Sequence, residues 1–160
     1  MVAGEIISGR IAQRIVTIRG HRALLDSDLA ALYGVETRAL LQAVRRNPAR
    51  FPSDFVIRLG NQDLAVLRSQ FVISKVRGRG GRRSLPCAFT EHGAIMAATV
   101  LSSRRAIEVS IFVVRAFVQI RDSLAQGKEL GKRLDELETR LERRLGSHDR
   151  AISEILGFVR

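Results

Sequence analysis

The chain has 160 residues, 46% of them hydrophobic, with 7 Phe, 1 Tyr, no Trp and a net charge of +11. That length and composition fit one compact domain with an appended element, and a core built mostly from Leu, Val, Ile, Ala and Phe. The longest uncharged apolar stretches, Gly93–Ser103 and Val109–Val114, fall well short of the ~20 residues a membrane-spanning helix needs. The charge is uneven. Residues 1–127 hold 19 Lys/Arg against 9 Asp/Glu, whereas residues 128–160 hold 8 against 7. Arg outnumbers Lys 24 to 3, a bias that a GC-rich genome explains. Such a bias does not explain the shortage of acids before residue 128, which is what a polyanion-binding surface requires. Cys87 is the lone cysteine, so no intrachain disulfide can form. This fits a reducing cytoplasm. Residues 1–9 lack the basic start and apolar run of a signal peptide, and a cytoplasmic protein is expected.

Taken in chain order, residues 1–11 read as an N-terminal tail. Ile15–Ile18 and Ala23–Leu25 flank Arg19-Gly20-His21-Arg22, which predicts a β-hairpin. Asp26, Ser27 or Asp28 then caps a short helix over about Asp28–Tyr33. Gly34 interrupts it. Glu36 or Thr37 opens a second helix, which ends near Asn47 because Pro48 pushes the preceding residue out of the helical region. Phe55–Leu59 reads as a strand, and Asn61 caps a helix to about Gln70. Phe71–Val76 and Leu85–Phe89 predict a second hairpin around a long basic tip. Thr90 caps a helix to about Leu101, with Glu91 in its first turn. Ser103 starts another, to about Leu124. That helix is apolar nearly all round, from Ile107 and Val109 through Ile111, Phe112, Val113 and Val114 to Phe117, Val118 and Ile120, so it should be central to the core.

Ala125-Gln126-Gly127 marks a shift in composition. Beyond it, Leu130, Leu134, Leu137 and Leu141 follow the 4–3–4 spacing of a coiled coil. The step from Leu141 to Leu145 is four, a stutter that relaxes the supercoil, and Ile152 and Ile155 continue the seam. Glu129–Arg133 and Glu136–Arg140 are supporting i,i+4 pairs. His148 falls in the seam, where a polar residue costs stability but fixes register. A homo-oligomer through this helix, most simply a dimer, is expected. The alternative is a single amphipathic helix packed on its own domain.

Residues 26–47 carry the pattern of a helix-turn-helix. Ala30 supplies a small residue where two helices approach, and Gly34 supplies the turn. Leu29, Leu32, Tyr33 and Val35 should face inward, with Leu40 and Val44 from the second helix. At about 100° per residue, with Arg38 at zero, Gln42 lies near 40°, Arg45 near −20° and Arg46 near 80°. Leu40, Leu41 and Val44 cluster between about 200° and 300° on the same scale. One face is therefore apolar and the other is basic. Arg makes bidentate bonds to guanine and Gln to adenine, so Arg38, Gln42 and Arg45 are the candidate base readers on double-stranded DNA. Arg46 and Arg50 are candidates for the phosphate backbone. So are Lys75, Arg77, Arg79, Arg82 and Arg83 of the basic tip, where Gly78, Gly80 and Gly81 allow close backbone approach.

The successive stretches IRGHRALLDSDLAALYGVETRALLQAVRRN, RFPSDFVIRL, LRSQFVISK and GGRRSLPCAFTEHGAIMAATVL fall in one order. Over about residues 12–101 the chain resembles the ORF-six-N domain of phage and bacterial proteins, which is related to KilA-N. The following RAIEVSIFVVRAFVQIRDSL also looks like these proteins. The resemblance implies a DNA-binding module of α+β type with a transcriptional or antirepressor-like role. It assigns no catalytic residue and no base-contacting position. Cys87 departs from the aromatic expected in LPxAFTE, a change that bears on local packing.

No enzyme is expected. His21, His92 and His148 are scattered and, with one Cys, form no metal-ligand spacing. Glu91-His92 is better explained as a capping first turn than as an acid–base pair. Asp26 and Asp28 are spaced for two metal ligands, but helix capping explains them more simply. Gly78-Arg79-Gly80-Gly81 lacks the Lys-Ser/Thr of a P-loop, and no Rossmann fingerprint follows a strand, so no cofactor is expected. The predicted architecture is α+β. Small β-hairpins pack with a helix-turn-helix-like core and further helices over residues 12–124, and a coiled-coil helix over residues 128–160 follows.

Overall fold

The computed structural model describes residues 2–70 and 85–159. It is α+β, as the pattern predicts, and divides into two compact units, Met1–Gln119 and Ile120–Arg160.

The first unit opens with α1 (Val2–Ala12), a helix where the sequence pattern predicts a tail; its Ile11 is buried in the core. β1 (Val16–Ile18) and β2 (His21–Leu25) form the expected hairpin. Arg19 and Gly20 both take positive φ, 50° and 80°, which is the two-residue turn that matches strand twist. Then come α2 (Asp26–Tyr33), α3 (Thr37–Arg46), a single 3₁₀ turn over Pro48–Arg50, β3 (Val56–Arg58) and α4 (Asn61–Gln70). β4 (Cys87–Thr90) leads into α5 (Glu91–Leu101) and then α6 (Arg104–Phe158).

The sheet order is β1-β2-β4-β3, antiparallel throughout. The last strand is inserted between the second and third. Leu24 pairs with Phe89 and Val56 pairs with Phe89 on its other side, so β4 is central. The partners of β4 are thus β2 and β3, where the hairpin pattern predicts Phe71–Val76, a segment outside the described residues. Strand alternation sends neighbouring side chains to opposite faces. Leu24 and Phe89 enter a core shared with Ile11, Leu29, Tyr33, Leu40, Ala97, Val113 and Phe117. Ala23, Ala88 and Ile57 face the other way, onto Leu67 of α4.

Several helix ends differ from expectation. α2 begins at Asp26, with Leu25 in the capping position and no side-chain cap bond. Asp26 is buried, and its carboxylate accepts hydrogen bonds from the amides of Ser27 (2.7 Å) and Cys87 (3.1 Å). The second of these ties the helix start to β4. α3 has Glu36 in the capping position, again without a side-chain bond. Before α4, Asp63 reaches back to the Gly60 amide at 2.7 Å, so Asp63 rather than Asn61 supplies the cap. Thr90 and Ser103 behave as predicted: Thr90 Oγ1 accepts from the Gly93 amide and Ser103 Oγ from the Ala106 amide.

α6 brings two corrections. It runs unbroken through Ala125-Gln126-Gly127 for 55 residues, where a helix end near Leu124 is predicted. It is also buried along one face only. Ala106, Val113, Ala116 and Phe117 are in the core, while Ile107, Ile111 and Val118 are exposed. The apolar residues all round it do not make it a central helix. In the second unit, Ile120–Arg160, the described residues are helical to Phe158.

Candidate nucleic-acid interface

α2 and α3 pack against each other and α3 packs against α5. The turn between α2 and α3 is set by local chemistry. Gly34 sits in the left-handed region at φ 70°, its amide donating to the Ala31 carbonyl (3.3 Å) and that of Val35 to Ala30 (3.0 Å). These bonds satisfy the carbonyls left open at the end of α2. Ala30 is buried, as a close helix approach requires. Arg105 lies over the turn, its side-chain Cδ and Nε 2.7 Å from where a Cβ on Gly34 would stand, and its Nε donates to the Leu32 carbonyl at 3.4 Å. Tyr33 anchors the pair to α5 by donating its hydroxyl to the Ala94 carbonyl at 2.7 Å. Burial pushes that hydroxyl well above the ordinary tyrosine range.

On α3 the division of faces follows the predicted angles. Leu40 is fully buried, and Leu41 and Val44 are half-buried against the core. Arg38, Gln42, Arg45 and Arg46 are all exposed. Asn47 closes the helix, its amide donating to the Val44 carbonyl and its side chain to Ala43 at 2.9 Å. Pro48 then starts the 3₁₀ turn, at whose end Arg50 is exposed. The five candidates Arg38, Gln42, Arg45, Arg46 and Arg50 thus lie on one helix and the turn that follows it.

The structure adds two residues that helix periodicity does not reveal. A groove of about 770 Å³ runs beside α3, floored by Leu41, Val44, Phe51, Val56 and Leu59. Arg45 borders it together with Arg19 of the first hairpin turn and Arg58 of β3. Arg19 is held there by Asp63, with its Nη2 2.6 Å and its Nε 3.1 Å from the carboxylate. That bidentate contact holds the Asp63 carboxyl below the usual carboxylate range, assisted by the Gly60 amide. The only sequence signal for Arg19 and Arg58 was their charge, since the long-range sheet pairing brings them to α3.

Lys75, Arg77, Arg79, Arg82 and Arg83 lie outside the described residues. Leu130, Leu134, Leu137, Leu141, Leu145, Ile152 and Ile155 lie in the second unit, each between 50% and 64% exposed. His92 is exposed and stacks on Phe55 with ring centroids 5.6 Å apart.

A family model for the ORF6N domain matches residues 13–100, more than half of the chain. The chain belongs to the ORF6N domain family. This is a phage-type family of DNA-binding or regulatory proteins, the same one that the motif order resembles. The match spans α2, α3, all four described strands and nearly all of α5, so the candidate face on α3 belongs to the ORF6N domain itself. No curated protein and no solved structure shows significant similarity to the chain. No helix among the described residues is long and apolar enough to cross a membrane.

Proposed function

We propose that this ORF6N protein is a transcriptional regulator that lays α3 in the major groove of double-stranded DNA. One observation carries the reading: Leu40 is fully buried while Arg38, Gln42 and Arg45 stand exposed on the opposite face. An α-helix about 10–12 Å across fits a major groove about 12 Å wide. Arg38, Gln42 and Arg45 read base edges, and Arg46 and Arg50 hold phosphates. Residues 75–83 join the backbone contacts on the strength of their charge. The protein acts by binding, without catalysis or cofactor, in the cytoplasm.

The test is selection of bound sequences from a random DNA pool, followed by competition gel shifts at physiological salt. Gln42→Ala should relax preference at one position by about 1–3 kcal/mol. With about five phosphates neutralised per protomer, log affinity should fall with log salt at a slope of about −4 to −5. Random DNA competing as well as any selected sequence overturns the regulator reading.

A second reading has its own support in the leucine seam of residues 130–155, which is exposed over its length. In that reading the chain is an antirepressor or interaction protein that works through the C-terminal helix and binds DNA only weakly. In the regulator reading the seam serves self-association, most simply as a homodimer, whereas in the second it captures a partner. Sedimentation of the chain truncated after Gly127 tests this, since loss of the oligomer is expected.

A further inference from the structure

We propose that the C-terminal helices of two copies of this chain pair in parallel and in register. The proposal deepens the self-association reading above and rests on it. Its ground is the distribution of charge on either side of the exposed seam.

At about 100° per residue, with Leu134 at zero, the positions from Leu130 to Ile155 that carry the seam fall between about −60° and +20°. Arg133, Arg140 and Arg144 lie along one border, at about −80° to −120° on that scale. Glu138, Asp149, Glu142 and Asp135 lie along the other, at about +40° to +100°. No acid falls among the three arginines and no base among the four acids. All seven are exposed. Arg133 has an ion pair with Glu129 of its own helix at 3.5 Å, exposed on both sides and open to exchange.

Two helices packed in parallel bring opposite borders together; packed antiparallel, they bring like borders together. Parallel pairing therefore sets Arg133 against Glu138 of the partner subunit, and Arg144 against Asp149 of the partner subunit. Both contacts join residues five positions apart, the usual offset between flanking positions of a parallel pair. Antiparallel pairing sets arginines against arginines and acids against acids. A second copy is thus the occupant that the seam's own charges fit. The seam is a narrow stripe with charge close on both sides, which suits two strands better than the wider apolar faces of larger bundles. Register puts His148 opposite its own copy, one polar layer in an otherwise apolar seam. Each copy of residues 1–119 joins its helix at the same end of the pair.

Engineered disulfides in the full chain test the orientation. In a Cys87→Ser background, Leu130→Cys and Ile152→Cys are made separately and equilibrated in a glutathione buffer, alone and as an equimolar mixture. Each variant alone should form its own disulfide dimer. In the mixture, the cross-linked product joining positions 130 and 152 should be at least tenfold rarer than the like-with-like products. Dominance of the 130–152 product overturns the parallel orientation while leaving self-association standing. A wild-type chain that sediments as a monomer overturns self-association and the proposal together, and a trimer or tetramer overturns the pairing of two. A further variant, Arg133→Glu with Arg140→Glu and Arg144→Glu, places acids on both borders. Its dimer dissociation constant should rise at least tenfold, and an unchanged value removes the charge argument. None of these outcomes depends on DNA, so failure of the regulator reading is seen separately.

Discussion

Gly93→Ala should destabilise the ORF6N domain by an amount that can be worked from the geometry around it. A Cβ at this position would stand 2.0 Å from the Phe55 carbonyl oxygen and 2.9 Å from its carbon. Both are backbone atoms, and Cβ contacts below 3.0 Å are essentially never seen, so the segment before β3 must withdraw by about 1 Å. It is not free to do so. The Thr90 amide donates to the Phe55 carbonyl at 3.1 Å, and the Thr90 hydroxyl contacts the Asp54 and Phe55 carbonyls at 3.0 and 3.3 Å. Breaking about two such bonds costs about 2 kcal/mol. Overpacking adds about 1–3 kcal/mol. Replacing a helical glycine returns about 1 kcal/mol. The net loss is about 2–4 kcal/mol, which at a urea slope of about 2 kcal/mol/M lowers the midpoint by about 1–2 M. Tyr33 is the chain's one tyrosine, there is no tryptophan, and Tyr33 is buried in the first unit. Its fluorescence follows unfolding of that unit without a signal from the C-terminal helix. Gly9→Ala is the control, since nothing lies within 4 Å of its Cβ position; its midpoint should hold or rise. A Gly93→Ala midpoint within about 0.3 M of wild type refutes the reasoning, because that is near the uncertainty of such measurements.

Tyr33→Phe deletes the 2.7 Å bond to Ala94 and should cost about 1–2 kcal/mol, read from the thermal unfolding midpoint by circular dichroism. In the wild type, the raised Tyr33 hydroxyl should stay protonated through its ordinary range near ~10. Its contribution to stability is complete below that range and is lost as pH rises through the folded-state value. Phenolate absorbance followed alongside fluorescence should show ionisation only as the unit unfolds. Arg19→Met should let the Asp63 carboxyl rise toward its ordinary range, as seen by NMR titration. The sign for Asp63 is opposite to that for Tyr33. The pairing contributes fully above the ordinary aspartate range and is lost as pH falls through the depressed folded-state value.

Where one stretch of chain holds its own determinants, the sequence was readable. The first hairpin needs a two-residue turn of positive φ, and Arg19-Gly20 is positioned to make it. The angular separation of Leu40 from Arg38, Gln42 and Arg45 needs only the helical repeat. The misreadings come from contacts distant in sequence. Asp26 looks like a helix cap in isolation, yet one of its hydrogen bonds goes to the Cys87 amide, 61 residues away. β4 looks like a hairpin arm, but β2 and β3 occupy both its edges. Gly127 looks like a helix end because a helical glycine costs about 1 kcal/mol. The good helix formers on both sides outweigh that local cost. Ile107 and Ile111 look like core because they are apolar, although which face of α6 is buried depends on the other elements sharing its core, from Ile11 and Leu29 to Ala94 and Ala97. Arg58 was unrecognisable as bordering the same groove as Arg45, because the pairing of β3 with β4 brings it there.

The reading face depends on how little of α3 is inside. Among its described side chains only Leu40 is fully buried, with Leu41 and Val44 partly so. Three side chains packed on the core from ten positions are a weak hold for a helix this short, which in isolation would be marginal. Its placement must therefore come from its neighbours. Val35 and Leu40 fix its start, through the bonds to Ala30 and to the Glu36 carbonyl. Tyr33 ties the preceding helix to α5, on which α3 also rests. Gly93 lets α5 approach the chain before β3 closely enough for that support to exist. A narrow inner face leaves most of the circumference to solvent, and that is where Arg38, Gln42, Arg45 and Arg46 stand. Greater burial would give α3 more stability of its own and leave less of it to enter a groove. The close contacts around Gly34, Tyr33 and Gly93 are what allow an exposed basic helix to be held rigidly.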